Sequence, residues 1–593
     1  MRMRSLRRPA SFALLCLVVA ACGDDMASTE TATTATSTAT TQATTMTSTS
    51  TATSAATTGT STSSGSESAG ETTTTTTGET TTTTGDPTTS TTGPVETDSD
   101  PSTTEPVTTT DTSTTGDPLL CEPGSQACVD ADNFQICADD GLSWGEPMPC
   151  APKEGCLAGQ CVPLCELVQA EPSSIGCSFF ANRMDNLHAN QPDSLIVGNV
   201  STDQTASVQL YFVPNGGGAE QPQGGPVNVA PSGTHTFTMD NAQIESVTTI
   251  RKGGVYRVES DLPLVAYLHS PIGSQATNDA SMLLPEHALT GNYVIASYPG
   301  TFPTHYPSYF TAIATENGTT LNMVAGIATA GGGGVPALAK GDAADISLDR
   351  YDTLNVVVSV NYTDLSGTII AADKPVWAVG ATECGNVPMY PTVYCDHLEE
   401  VSIPLEYWGD TYVGAHAPTR GNETYYWRVY SGDAAVTVDT APAQPGFPVT
   451  LDKGEYYQFG TKESFIFTAD GPFMPVQYLE GQNGGAGTGD PSRYQMVPTE
   501  QFLSSYAFVT GTNYNQHYAQ IIRPVGGADV LVDGDTVTGY YTVGDYEVAD
   551  WSISEGAHFA TSADPFGVIQ IGYTPVTSYA YPGGLRLKVI NPQ

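Results

Sequence analysis

Residues 370–379 read IAADKPVWAV, in which two runs of strand-forming residues flank the turn Asp373-Lys374-Pro375. This strand–turn–strand pattern, here called the Asp-Pro phrase, occurs at residues 258–267, 370–379, 467–476 and, more loosely, 561–570. Its aspartates, Asp261, Asp373, Asp470 and Asp564, are 112, 97 and 94 residues apart. Self-similarity at such a period predicts repeated structural units. We interpret each aspartate as a turn residue that bonds its own backbone ahead of a proline.

A second pattern recurs between the copies of the first. It begins with an apolar residue and a proline, ends with a tyrosine in an apolar run, and is here called the Pro-Tyr phrase. Its copies lie at residues 284–295, 403–413 and 497–508. The two phrases together divide the region 165–593 into approximate units 176–283, 284–395, 396–496 and 497–593.

The second unit has the clearest strand signals. Runs at 309–315, 319–324, 345–348, 354–358 and 367–370 have strand composition, and Asn317-Gly318 between the first two is a strong hairpin signal. Short strands separated by Gly and Pro predict an all-β fold of tandem antiparallel β-sandwich-like repeats. A propeller-like arrangement is the alternative.

The charge of the chain limits its partners. Lys and Arg total 20 against 63 Asp and Glu, which gives a formal net charge of −43. A chain this acidic lacks the phosphate-neutralising surface that nucleic-acid binding requires. We therefore expect no nucleic-acid partner and a soluble extracellular surface.

The N-terminus indicates export. Four arginines within residues 1–8 precede an apolar run from Phe12 to Ala21, which is typical of a secretory signal peptide spanning residues 1–21. The run ends Val19-Ala20-Ala21-Cys22 and resembles a bacterial lipobox, which implies lipidation of Cys22. We expect a lipid-anchored protein of the cell envelope, exposed on the outer membrane surface. An ordinary signal peptide with an incidental cysteine is the alternative.

Residues 22–118 form a Thr-rich stretch. From residue 23 onward it contains no Lys, no Arg and no aromatic residue. Because it cannot bury enough apolar surface to offset the entropy of ordering, we expect a disordered stalk between the anchor and the folded part.

A module of six cysteines follows at residues 119–164, and six cysteines so close together in an exported chain predict three disulfides. A zinc site is the weaker alternative, because the module has no His and no Cys-x2-Cys pair. The sequence does not fix the pairing. The six are Cys121, Cys128, Cys137, Cys150, Cys156 and Cys161. Sequence neighbours would pair the remaining four as Cys165–Cys177 and Cys384–Cys395.

The region from about Cys165 to Gln593 resembles the IgGFc-binding protein N-terminal domain family. The resemblance rests on the sequences 175–181, 280–285 and 366–376, and above all on residues 383–400, which read ECGNVPMYPTVYCDHLEE. It implies an exported protein. The antibody Fc binding of mammalian relatives does not transfer, because no Fc-contacting residue maps onto these positions.

The segment 383–400 could be read as a site. Glu383, Asp396, His397 and Glu399 are possible metal ligands, and a Cys-His pair could be catalytic. In an oxidising compartment Cys384 and Cys395 are better explained as a disulfide that closes a twelve-residue loop. The loop carries a candidate binding surface of Pro388, Met389, Tyr390 and Tyr394.

Three functional hypotheses remain. The favoured one is a cell-surface, lipid-anchored, non-enzymatic binding or adhesion protein displayed on a stalk, with an unknown extracellular protein or glycan as partner. The second is a structural envelope or matrix component without a specific ligand. The third is a secreted hydrolase, which finds neither a Gly-x-Ser-x-Gly nor a His-Glu-x-x-His pattern. We expect no catalytic residue, no metal and no cofactor, and membrane contact through the lipid only.

Overall fold

The computed structural model describes residues 119–188, 190–241, 247–271, 277–300, 306–389 and 394–593. The predicted signal peptide, Cys22 and the Thr-rich stretch lie outside the described residues. The described chain is all-β, with one α-helix in it, α1 (Leu164–Ala170).

The cysteine module is built from small antiparallel sheets. Its strands are β1 (Gln126–Cys128), β2 (Asn133–Ile136), β3 (Met148–Pro149), β4 (Glu154–Leu157) and β5 (Gln160–Pro163). Strands β1, β2 and β3 form one sheet, and β4 and β5 form a hairpin. Its disulfides are Cys121–Cys137, Cys128–Cys156 and Cys150–Cys161, so no thiolate is left for zinc. A further disulfide, Cys165–Cys177, joins α1 to the first strand of the next region.

The first sandwich is organised around one long strand. Its region contains β6 (Gly176–Asn182), β7 (Asp193–Asn199), β8 (Ala206–Val213), β9 (Gln221–Pro222), β10 (Val227–Val229), β11 (Thr234–Met239), β12 (Thr249–Lys252), β13 (Val255–Ser270) and β14 (Asp279–Met282). The first half of β13 pairs with β6 and β8, and its second half pairs with β7 and β14.

The second sandwich consists of two sheets. Its strands are β15 (Asn292–Ile295), β16 (Ser308–Ala314), β17 (Thr319–Val324), β18 (Ala343–Leu348), β19 (Asp352–Val357), β20 (Thr368–Ala372), β21 (Val376–Gly385) and β22 (Asp396–Val401). The sheet orders are β12-β19-β16-β21-β22 and β15-β20-β17-β18. Strand β22, which follows the approximate unit boundary predicted at 395, pairs with β21, which precedes it. Strand β12, assigned by sequence to the first unit, pairs with β19 of the second.

The third sandwich has two four-stranded sheets. Its strands are β23 (Thr411–Gly414), β24 (Tyr425–Ser431), β25 (Val436–Ala441), β26 (Val449–Leu451), β27 (Tyr456–Thr461), β28 (Phe465–Ala469), β29 (Phe473–Tyr478) and β30 (Arg493–Gln495). The orders are β23-β28-β25-β26 and β27-β24-β29-β30.

The fourth sandwich repeats the long crossing strand of the first. Its strands are β31 (Leu503–Val509), β32 (Gln516–Pro524), β33 (Leu531–Val532), β34 (Asp535–Thr536), β35 (Tyr541–Val543), β36 (Tyr546–Ile553), β37 (Ala557–Thr574) and β38 (Thr577–Pro582). Strand β37 pairs first with β31 and β33, then with β32 and β38. Short 3-10 turns lie at Glu286–Ala288, Leu405–Tyr407, Gln482–Gly484 and Thr499–Gln501.

Every Asp-Pro phrase lies where the chain changes pairing partners, between two sheets or between the two halves of one long strand. In the second and third sandwiches it separates two strands, and in the first and fourth it lies inside β13 and β37. Each aspartate accepts a backbone hydrogen bond from a neighbouring segment and not from its own turn, which corrects the sequence interpretation. The donors are the N–H groups of Ser207, Thr320, Thr437 and Ala528, at 2.7, 2.8, 2.7 and 2.8 Å.

The Pro-Tyr phrases lock onto the Asp-Pro phrases. Tyr293 and Tyr412 each donate their hydroxyl proton, at 2.6 Å, to the carbonyl of the residue after the proline, Val376 and Phe473. Tyr506 does the same to Phe566. The two repeated sequences therefore form one repeated contact, in which the tyrosine of the first binds the backbone of the second.

The four sandwiches surround a common centre. Their last strands, β14, β22, β30 and β38, are here called the central strands; β14 and β30 each contact both β22 and β38. The fourth sandwich also bonds the first, since the Tyr267 hydroxyl donates to the Gly583 carbonyl. Each repeat is a sandwich, and the set closes like the blades of a propeller.

Candidate functional site

The family-like segment 383–400 is divided between the interior and the surface. Strands β21 and β22 form a hairpin joined by the Cys384–Cys395 disulfide. Glu383, Asp396 and His397 are buried on it, as are Glu399 and Glu400. The residues that looked like a metal or thiol site therefore face other protein groups and not solvent.

The centre of the ring is polar and acidic. Asp279 accepts hydrogen bonds from the Ser492 hydroxyl at 2.8 Å and from the Glu399 N–H at 3.1 Å. Asp396 accepts one from the Thr577 hydroxyl at 3.0 Å. These bonds join β14, β22 and β38 to one another and, through Ser492, to the residue that precedes β30.

Burial dominates the protonation of this centre. Loss of solvation raises the pKa of Asp279, Asp396, Glu399 and Glu400 well above the usual carboxyl range. The same cause lowers the pKa of His397 to about 3. Protonated acids and a neutral imidazole suit a buried structural contact.

The described part of the chain contains no group of three or more His, Cys, Asp or Glu side chains arranged to hold a metal ion. Cys384 is bonded to Cys395 and so supplies no thiolate for His397.

The surface part of the segment is the disulfide-closed loop. Met389 and Tyr394 are 65% and 55% exposed. The Tyr298 hydroxyl donates a 2.6 Å hydrogen bond to the Pro388 carbonyl, which fixes the start of the loop against the second sandwich. Tyr390 lies outside the described residues.

The loop borders a pocket between the second and third sandwiches. This pocket has a volume of about 380 Å³ and is here called the Arg428 pocket; Tyr298, Tyr362, Asn386, Met389, Arg428 and Gln458 line it. An adjoining pocket of about 200 Å³ shares Pro299 and Tyr362 with it and is lined further by Lys340, Asp364 and Tyr456. The two adjoining pockets together are here called the Arg428 groove.

Arg428 is the most constrained group in the groove. Its side chain is only 4% exposed, and Nη1 donates to both carboxylate oxygens of Asp364 at 3.1 Å. Nη1 also donates to the Ser366 hydroxyl and the Ser297 carbonyl, and Nε donates to Oε1 of Gln458 at 2.9 Å. The guanidinium lies 4.5 Å from the ring centroids of both Tyr298 and Tyr456. Cation–π contacts between the planar guanidinium and the two tyrosine rings hold these side chains in place.

Sequence reasoning found the loop residues Pro388 and Met389 of this pocket and missed its floor. Arg428 and Tyr298 are 130 positions apart in the chain, and neither belongs to a recognisable motif. The available signal was the scarcity of cations, since the chain has only 20 Lys and Arg.

Fold and pocket together define a disulfide-bonded protein of tandem β-sandwiches with a surface groove. The family model described as IgGFc binding protein matches residues 279–572, just under half of the chain, and the matched region includes every residue of the groove.

No curated protein sequence matches the chain. A solved structure titled "Biofilm associated protein - BSP domain" is 7% identical and has a TM-score of 0.13. The match covers 71% of this chain and 97% of that one. A TM-score of this size carries no weight for fold or function.

Proposed function

We propose that this chain is a non-enzymatic binding or adhesion protein of the cell surface, and that its ligand contacts the disulfide-closed loop 385–394. One observation carries the proposal: the loop exposes Met389 and Tyr394, and Met389 lines the Arg428 pocket. Methionine, tyrosine and arginine are the side chains that binding interfaces favour. A covalently closed loop also loses less conformational entropy when it is immobilised by a ligand.

The same proposal includes display away from the cell. A lipid on Cys22 would hold the chain at the outer membrane, and residues 22–118 would act as an extended spacer of up to roughly 3 Å per residue. In the described residues no helix is long and apolar enough to cross a membrane.

The partner in this proposal is an extracellular protein or glycan. The description of the matching family makes the antibody Fc region one candidate. The acidic surface disfavours nucleic acid.

Saturable binding tests the proposal. The full chain, kept in detergent, is titrated onto epithelial cells, mucin and immobilised Fc. We expect a saturable signal for at least one of them that falls at least tenfold when Met389 and Tyr394 are both replaced by Ser.

The matched control is Val525→Ser, which removes another exposed apolar side chain in the fourth sandwich. Binding that never saturates would favour a structural envelope component instead. Saturable binding that survives the loop substitutions would place the contact elsewhere.

A further inference from the structure

We infer that the Arg428 groove binds an acidic saccharide, with a carboxylate of the sugar on Arg428. The inference deepens the proposed binding function by naming the chemical class of the ligand at that site. It rests on the donors that the groove leaves open, on its charge and on the shape of its walls.

The open donor is the outer edge of the Arg428 guanidinium. Nε and Nη1 are fully used by Gln458, Asp364, Ser366 and Ser297. No hydrogen bond joins Nη2 to any of the residues that the structure describes. Arg428 lines the pocket while its side chain is almost wholly buried, so Nη2 is a charged donor at the pocket floor. Leaving such a donor unpaired is unfavourable, and an oxygen acceptor from a ligand would satisfy it.

Gln458 adds a second donor beside the first. Its Oε1 accepts a hydrogen bond from Nε of Arg428, and this bond determines which way the amide group is oriented. Gln458 and Arg428 both line the pocket. The Gln458 side chain also hydrogen-bonds the Tyr298 hydroxyl. The pocket lining therefore brings together the N–H groups of Arg428 and Gln458, which suits an acceptor-rich ligand.

Charge selects an acid among such ligands. Lys340 is exposed in the adjoining pocket, and among the residues that line the two pockets the one acidic side chain is Asp364, in the adjoining pocket. Asp364 is already committed to Nη1 of Arg428. Two cations in one groove are notable in a chain with 20 Lys and Arg against 63 Asp and Glu. The field of the distant acids is screened beyond about 8 Å at physiological salt, so the local cations decide.

The walls favour a sugar over a protein side chain. Tyr362 lines the pocket and is 60% exposed. Tyr298 also lines it, but its ring is buried against the Arg428 guanidinium and holds that cation in place. An exposed tyrosine ring packs on the C–H face of a sugar while neighbouring donors bind its oxygens. A pocket for a protein anchor residue would have an apolar floor, whereas this floor is guanidinium and amide. A volume of about 380 Å³ also lies within the ~300–1,000 Å³ of small-ligand sites.

Calorimetry of the full chain with matched sugars tests the inference. The probes are a hyaluronan tetrasaccharide with its carboxyl-reduced counterpart, and sialyllactose with lactose. We expect at least one acidic probe to bind at least tenfold more tightly than its neutral counterpart. Equal affinities within both pairs, or no binding of either acidic probe, would overturn the inference.

Substitutions locate the site. Tyr362→Ala and Lys340→Gln change exposed side chains, and each should weaken the acidic probe at least threefold. Lys462→Gln removes an exposed cation of the third sandwich and should have no effect. Arg428→Gln should abolish binding, with thermal unfolding as the check on folding. Unchanged affinity in both Tyr362→Ala and Lys340→Gln would also overturn the inference.

The result is separable from the proposed function. If no sugar binds but loop-dependent binding to Fc or mucin persists, the saccharide inference fails and the binding function stands. If Tyr362→Ala then also removes protein binding, the groove accepts a protein side chain.

Discussion

Each of the four aspartates of the Asp-Pro phrases accepts a hydrogen bond from the backbone N–H of another segment. The bond joins that segment to the turn that contains the aspartate. Asp373 and Asp470 make this contact twice, since their own N–H groups donate back to the carbonyls of Thr320 and Thr437. A carboxylate is suited to this position because it accepts without needing a proton. Aspartate therefore recurs in the sequence because the same kind of backbone N–H group needs an acceptor in each sandwich.

Removing one of these acceptors should destabilise its sandwich. Asp470→Ala leaves the Thr437 N–H without its 2.7 Å partner. Because the site is solvent-exposed, we expect a loss of about 1 kcal/mol, the ordinary value of one hydrogen bond. Chemical denaturation of the full chain measures it. Asp470→Asn, which keeps a carbonyl acceptor, should lose less, and Asp433→Ala at an exposed turn should lose almost nothing; equal losses in all three would contradict this role.

Asp193 should make stability depend on pH. Burial raises its pKa from 3.8 to about 7, while its oxygens accept from the Met184 N–H and the Ser270 hydroxyl. The folded state therefore holds a proton that the unfolded chain has released. This contribution is complete below pH 3.8 and is lost as the pH rises to about 7.

Asp193→Asn cannot ionise, so its unfolding temperature should rise relative to the parent between pH 4 and pH 7. Differential scanning calorimetry at several pH values measures the difference. Asp203→Asn, at an exposed position of the same sandwich, should show no such trend. A constant difference between Asp193→Asn and the parent would refute the linkage.

At the scale of elements, the Cys384–Cys395 disulfide closes the loop that carries the proposed binding surface. In the chain-entropy model, a loop of twelve residues stabilises the fold by about 3 kcal/mol. Replacing Cys384 and Cys395 by Ala should therefore lower the free energy of unfolding by up to about 3 kcal/mol. The same change should weaken ligand binding, because the exposed Met389 and Tyr394 lose their fixed placement.

The control has nearly the same size. Cys165 and Cys177 close a loop with a sequence separation of 12, against 11 for Cys384 and Cys395. Their replacement should affect stability similarly and leave ligand affinity unchanged. A loss of affinity in both double variants would attribute the effect to general unfolding.

Sequence could predict the elements that rest on local patterns. Strands β16 to β20 lie within two residues of the runs expected from alternation and from Asn317-Gly318. Strands β12 and β22 pair across the approximate unit boundaries, and no local sequence pattern records these long-range pairings. The loop of the candidate site was predictable from its cysteines. Arg428 was not, since its contacts with Tyr298 and Asp364 form only when two sandwiches meet.

At the scale of the whole molecule, the ring is closed by the end of the chain. The Ser174 N–H donates to the Leu585 carbonyl at 3.0 Å, and the Leu587 N–H donates to the Pro172 carbonyl at 3.1 Å. Leu585 and Leu587 are buried. The segment after β38 thus fastens the fourth sandwich to the residues that lead into the first.

Deleting residues 585–593 should loosen this closure. Losing two buried leucines removes about 1.5–3 kcal/mol each, in addition to the hydrogen bonds. We expect a lower unfolding temperature and faster amide exchange in β6 and β31, measured by hydrogen–deuterium exchange. Deleting only residues 592–593 is the control. Unchanged exchange in the longer deletion would mean that the central strands alone hold the ring.

The final prediction concerns how the whole chain is held at the cell. The chain has a net charge of −43, and so acidic a protein is repelled by anionic membrane surfaces. If the lipid on Cys22 is the attachment, Cys22→Ala should move the exported chain from the membrane fraction to the soluble fraction, measured by fractionation and immunoblotting. Cys16→Ala, inside the apolar run of the signal, should leave the chain in the membrane. A covalent lipid supplies membrane affinity in proportion to the CH₂ groups it buries. The acidic sandwiches are not expected to replace that affinity when the lipid is absent. Membrane retention of Cys22→Ala would refute lipidation at that residue.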